Sequence, residues 1–195
     1  MATIRAFIAL DLSEEARAVL AQVSDTLSQK TAEGAVKWVD ASRMHLTLRF
    51  LGNTPTEKLD SLAASLDGVA RQHRPFTLTL DALGCFPNER KPRGIWVGLG
   101  GDLEPLQALY GTLQGALEPL GWEAEDRDFH PHLTLGRVKD RRAKIDLPWG
   151  QGVAPAKTVV SEVVLYESQL RPQGPLHTVR HASALGGRGQ ESGSS

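Results

Sequence analysis

The tetrapeptide His-Leu-Thr-Leu occurs twice, beginning at His45 and at His132, 87 residues apart in a chain of 195. Each copy lies in a run that reads as a β-strand. Side chains alternate along a strand, so the histidine and threonine of each copy share one face, about 7 Å apart, and the two leucines share the other. The same four residues thus supply a polar pair and a core anchor. If the halves pack face to face, two imidazoles and two hydroxyls converge, a set suited to acid–base chemistry on a phosphate. Threonine alone is common in half-buried strands. That explains Thr47 and Thr134 separately and leaves the identical string in each half unexplained.

The rest of the chain says what surrounds the two strands. Thr3 to Leu10 reads as a buried strand, and Ser13 to about Lys30 as a helix with a stripe of Ala16, Val19, Leu20, Val23 and Leu27. Val36–Val39 and Met44–Leu51 read as strands. Thr54-Pro55-Thr56-Glu57 predicts a capped helix start, with Leu59, Leu62, Ala63, Leu66, Val69 and Ala70 on the buried face. Further strands are expected at Phe76–Leu83 and Gly94–Leu99, then a helix capped by Asp102 with Leu106, Leu109, Tyr110, Leu113 and Leu117 inward. Phe129–Val138 holds the second copy, and two last strands cover Thr158–Glu167 and Leu176–Ala184. The order β-α-β-β-α-β-β-α-β plus two strands has too few helices for a doubly wound parallel sheet. It predicts an α+β fold with largely antiparallel sheets, and the 87-residue spacing predicts a pseudo-duplication. One domain is expected over 1–185, with a disordered Gly/Ser-rich tail over 186–195.

Composition narrows the function classes. A formal net charge of −1 excludes a generally basic nucleic-acid coat, so affinity for a polyanion has to come from local clusters. Arg90–Arg93 and Arg137–Lys144 are such clusters, either steering an anionic ligand or simply solvated. The single cysteine, Cys85, precludes an internal disulfide and fits a reducing cytoplasm. No run is long and apolar enough to span a bilayer, so no membrane partner is expected.

In-line displacement at phosphorus uses two histidines naturally. A neutral imidazole takes a proton from the attacking water or hydroxyl while a protonated one gives a proton to the departing oxygen, each contributing ~10²–10⁴-fold. Threonine hydroxyls can hold the non-bridging oxygens. The scheme calls for no metal and no cofactor. A 2′,3′-cyclic phosphate suits it, because the ring already holds the leaving oxygen near the line of attack.

His45-Leu-Thr-Leu-Arg-Phe-Leu-Gly52 and Phe129-His-Pro-His-Leu-Thr-Leu-Gly-Arg137 resemble the two signatures of the two-histidine phosphoesterase superfamily, in its LigT-like branch of RNA 2′,3′-cyclic phosphodiesterases, also called RNA 2′,5′-ligases. Arg5-Ala-Phe-Ile-Ala-Leu-Asp11, Trp38-Val39 and the segment from Phe86-Pro87 to Trp96-Val97 are similar to that branch as well. The resemblance implies a bilobal fold, with two mainly antiparallel sheets facing a central cleft and helices outside. It implies opening of RNA 2′,3′-cyclic phosphate ends to 2′-phosphomonoesters, His45 being general acid and His132 general base, with Thr47 and Thr134 on the phosphate. The partner implied is RNA or a nucleotide bearing such an end; no obligate protein partner is expected, and the chain is expected to be a monomer. Arg137 matches a family arginine near the phosphate, although alternation from His132 puts it on the wrong face unless Gly136 hosts a bulge. Arg49 has the right parity for substrate contact. His130 shares a face with His132 and either touches substrate or hydrogen-bonds locally. His177 stands where relatives often carry an aromatic. Trp38, Phe86 and Trp96 read as core.

Three rival readings remain at this point. Ligation through a 2′,5′ bond is the reverse chemistry with a hydroxyl in place of water. A metal-dependent hydrolase would use His130 and His132 as ligands, but no second ligand cluster accompanies them. A non-catalytic module would merely bind RNA ends.

Overall fold

The computed structural model describes residues 2–126, 128–172 and 174–186. Nine strands and three α-helices are found among them: β1 (Thr3–Leu10), α1 (Glu14–Ser28), β2 (Val36–Trp38), β3 (Leu46–Pro55), α2 (Leu59–Ala70), β4 (Phe76–Phe86), β5 (Gly94–Gly101), α3 (Leu103–Leu117), β6 (His132–Val138), β7 (Lys157–Val160), β8 (Glu162–Gln169) and β9 (Leu176–Ala184). They form a four-stranded sheet in the order β3-β1-β8-β9 and a five-stranded sheet in the order β2-β6-β5-β4-β7. Every strand pairing is antiparallel. The α+β expectation therefore holds, with one copy of the repeat in each sheet. The expected tail lies outside the described residues apart from Gly186.

The helices form where the apolar stripes predict. Ser13 caps α1 by accepting the Ala16 amide at 3.1 Å, and the same hydroxyl donates to the Lys157 carbonyl at 2.6 Å, fastening the helix start to β7. Although α1 follows a strand of the first sheet, it packs on β2, β6 and β7 of the second. Helix α2 covers β8 and β9, and α3 packs on α2 and β4. The leucines Leu46, Leu48, Leu133 and Leu135, from both copies of the repeat, enter one hydrophobic core. That core unites the two sheets.

Three boundaries differ from the sequence reading. Thr54 does not cap a helix; β3 runs on through Pro55, where Thr54 is buried opposite Ile4, and a 3-10 turn at Thr56–Lys58 precedes α2. The cross-strand partner outweighs the local capping signal. Asp102 likewise spends its carboxylate on the Thr77 amide at 2.8 Å rather than on its own helix. The strand expected over Thr158–Glu167 is two strands in different sheets, divided at Ser161. The adjacent exposed pair Ser161-Glu162 breaks the alternation there and lets the chain change sheets.

Both copies of the repeat contain the same irregularity. Between β1 and β3 the register steps from Ile8 opposite Arg49 to Ala9 opposite Thr47, leaving Leu48 unmatched. Between β5 and β6 it steps from Ile95 opposite Gly136 to Trp96 opposite Thr134, leaving Leu135 unmatched. In each copy the last leucine of His-Leu-Thr-Leu is the extra residue of a bulge, which shifts the faces of the residues directly after it, and in β3 a second register step leaves Leu51 unmatched.

Candidate active site

The first copy lies in an aromatic nest. Phe7, Ala9, Val164 and Tyr166 form a small buried cluster on the face of the first sheet that turns away from the main core. The His45 ring stacks on Phe7, with centroids 4.7 Å apart and planes 22° from parallel, and meets His177 edge-on at 5.2 Å. One ring nitrogen of His45 donates to the carbonyl of Arg43, two residues upstream. Burial is the main influence on its titration. Together with repulsion from His177, and against the attraction of Asp11, it lowers the pKa of His45 to about 4. The imidazole is therefore neutral near pH 7. Beneath it the Tyr166 hydroxyl donates to Asp11 at 2.7 Å, and burial and that carboxylate push the phenol well above its usual range.

The second copy opens onto a recess of about 400 Å³, lined by Phe86, Pro87, Arg93, Gly94, Ile95, Trp96, His132, Thr134 and Arg137. Nδ1 of His132 lies 2.7 Å from the carbonyl of His130. A carbonyl only accepts, so Nδ1 carries a proton and Nε2 is the nitrogen left for chemistry. The carbonyl two residues upstream thus orients the imidazole in both copies. Its supply in the second is secured by Phe129, which stacks on Tyr110 at 4.2 Å with planes 5° apart and whose carbonyl accepts from Gln107 at 3.0 Å. Phe86 meets His132 edge-on at 5.0 Å. The Trp96 indole lies across Gly84, where a Cβ would come within 2.2 Å of the ring. Only glycine permits that packing.

Set against expectation, His45, Thr47, His132 and Thr134 stand on the faces turned away from the leucine core, as strand parity predicts. Arg137 is also there. The bulge at Leu135 moves it onto the face of His132 and Thr134, where it lines the recess. Arg49 is not, because the bulge at Leu48 breaks the parity that recommended it. Its guanidinium is buried against α3, bonded to Gln114 at 2.8 Å and to the Glu123 carbonyl, with Glu125 at 3.4 Å. The His130 side chain is exposed and precedes the strand; what it gives His132 is its carbonyl. Phe86 and Trp96 line the recess rather than filling the core, while Trp38 packs against the core.

Phe7 and Tyr166 escape the sequence reading as site neighbours, and Arg93 enters it only as part of the basic cluster Arg90–Arg93. Phe7 and Tyr166 sit in strands apolar on both faces, whose period conceals which side is reactive. Among the described residues no three His, Cys, Asp or Glu side chains group so as to hold a metal ion, and no helix is long and apolar enough to cross a membrane.

A family model described as LigT like phosphoesterase matches residues 10–96 and 101–177. An RNA 2′,3′-cyclic phosphodiesterase of Methanothermobacter thermautotrophicus is 36% identical over 179 residues, covering 90% of this chain and 95% of the relative. One of Thermotoga maritima is 34% identical, covering 90% and 92%. Among solved structures, E. coli LigT complexed with 3′-AMP superposes with a TM-score of 0.76 at 28% identity, over 94% of this chain and 99% of that one.

Proposed function

The chain belongs to the LigT-like phosphoesterase family, and from that premise we propose that it is an RNA 2′,3′-cyclic phosphodiesterase that opens the cyclic end to a 2′-phosphomonoester. The observation that carries this reading is the paired geometry of the repeat. Each copy presents an imidazole oriented by the carbonyl two residues before it, with a threonine beside it, on a face turned from the core.

His132, with Nε2 unprotonated, takes a proton from water as the water oxygen attacks phosphorus. The bond from phosphorus to the 3′ oxygen breaks, and His45 protonates that oxygen. Thr47, Thr134 and Arg137 hold the non-bridging oxygens, whose charge concentrates in the transition state. His45 is neutral in the free protein, so the bound phosphodiester anion must supply the opposite charge that lets its ring carry a proton. After one turnover His132 holds the proton taken from water and His45 has left its own on the 3′ oxygen, and exchange with solvent resets the pair.

The same reading makes the working form a monomer in the cytoplasm, needing neither metal nor cofactor. Phosphorus NMR of the protein mixed with 2′,3′-cyclic AMP tests the assignment. A 2′-monophosphate is expected, formed equally well in excess chelator. A 3′-monophosphate, or binding without turnover, contradicts it.

A further inference from the structure

The two bulges place one more residue of each copy on the reactive face. It is the fifth after the histidine: Arg137 in the second copy and Phe50 in the first. Arg137 reaches the recess of His132. Phe50 pairs across the sheet with Phe7, and their rings are 6.2 Å apart. Phe7 is the ring on which His45 stacks. Phe7 also pairs with Tyr166, and Tyr166 with Val179, so one cross-strand row runs Phe50, Phe7, Tyr166, Val179 along the reactive face. The middle of the row is buried beneath His45 and His177. Phe50, at its edge-strand end, is 68% exposed.

An exposed phenylalanine alone needs no explanation. The register makes this one different, because the bulge that buries Arg49 is what brings Phe50 to the face of His45. A ring here cannot grip a phosphate, as arginine does in the other lobe. It offers a flat, uncharged surface on which any base can stack. Among the described residues no strand lies beyond β3 in the sheet, so a nucleic-acid chain can leave over that edge.

We propose that Phe50 is a stacking platform for the nucleobase preceding the nucleotide with the cyclic phosphate, which makes single-stranded RNA ends of two or more nucleotides the preferred substrates over free cyclic nucleotides. The proposal rests on the phosphodiesterase reading and adds a second base site to it. A platform of this kind accepts purines and pyrimidines alike, favouring the larger purine ring.

The test compares kcat/KM for 2′,3′-cyclic AMP with that for the dinucleotide ApA ending in a 2′,3′-cyclic phosphate. Wild type is expected to favour the dinucleotide by about tenfold, the scale of one stacked base. Phe50→Ala should collapse that ratio towards one, the loss falling on the dinucleotide, and Phe50→Trp should restore it. A wild-type ratio near one, a ratio unmoved by Phe50→Ala, or an equal loss on both substrates overturns the proposal. So does a wild-type dimer that Phe50→Ala dissociates in sedimentation, which would give the ring to a second copy of the chain. If neither substrate turns over, the failure is that of the phosphodiesterase reading. Fluorescence titration with a 2′-phosphate-ended oligoadenylate then decides on Phe50 alone: about tenfold weaker binding by Phe50→Ala supports the platform, and equal binding overturns it.

Discussion

The two copies of His-Leu-Thr-Leu share sequence, bulge and orienting carbonyl, yet their surroundings are opposite. His45 is set among Phe7, Tyr166 and His177, where burial disfavours its charged form. His132 opens on a recess with two arginines, Arg93 and Arg137. The repeated string thus fixes where the imidazoles point, and in the proposed mechanism the neighbours set which ring is acid and which is base. An acid and a base that share one proton need environments that differ, as these two do.

The strongest way to break the comparison is to delete either ring. His45→Ala and His132→Ala should each lower kcat by ~10²-fold or more, read by steady-state turnover of a cyclic-phosphate-ended oligonucleotide. The double variant should lose far less than the product of the two, since the rings act as a unit. Near-normal turnover in either single variant would show that its copy of the repeat takes no part in the reaction.

Next in size is the contrast between the arginines that follow the copies. Arg137→Ala should cost about tenfold to a hundredfold in kcat/KM through lost charge-assisted bonds to the phosphate, with little change in melting temperature. Arg49→Met should do the reverse, lowering stability by about 1–3 kcal/mol as Gln114 and the Glu123 carbonyl lose their donor. Denaturant melts beside kinetics separate the two, and a kinetic defect in Arg49→Met would return that residue to the site.

This pair of arginines also marks how far the sequence could be read. Strand parity puts His45, Thr47, His132 and Thr134 on the faces turned from the leucine core, where the structure has them, because alternation is strict up to the bulge. One residue later it assigns Arg49 to the wrong face, and it reaches Arg137 only through a bulge suspected at Gly136. No local propensity marks Leu48 as a bulge, since the shift is imposed by pairing with β1. The helix stripes were legible because each buries a single face: Leu62, Leu66 and Val69 of α2 are all buried as the spacing predicts. The nest was not, since Phe7 and Tyr166 come together only when β1 pairs with β8 across more than 150 residues of chain. Thr158–Glu167 reads as one strand because its change of sheet leaves only two adjacent polar residues, Ser161 and Glu162, as a trace.

Smaller effects sharpen the difference in titration. A histidine whose folded pKa lies below its unfolded value adds stability that is full above the unfolded pKa and is lost as pH falls towards the folded one. For His45 that window runs from about 6.5 down to about 4, and the contribution is roughly 2 kcal/mol after allowance for partial exposure. Urea melts across it should show a steeper loss of stability in wild type than in His45→Asn. An equal slope contradicts the buried-neutral assignment. The smallest effect is that of His177→Phe, which keeps an aromatic edge against His45 but removes its charge. The His45 titration, followed by proton NMR of the ring, should move upward, and an unmoved curve removes His177 from the electrostatics of the nest.

The division of labour is tested most directly with a cyclic substrate whose 3′ oxygen is replaced by sulfur, a leaving group that needs no proton. This substrate should restore His45→Ala to within about tenfold of wild type, the acid's ~10²–10⁴-fold share no longer being required, while His132→Ala stays slow. Rescue of His132→Ala instead would reverse the two roles, and rescue of neither would contradict the paired mechanism.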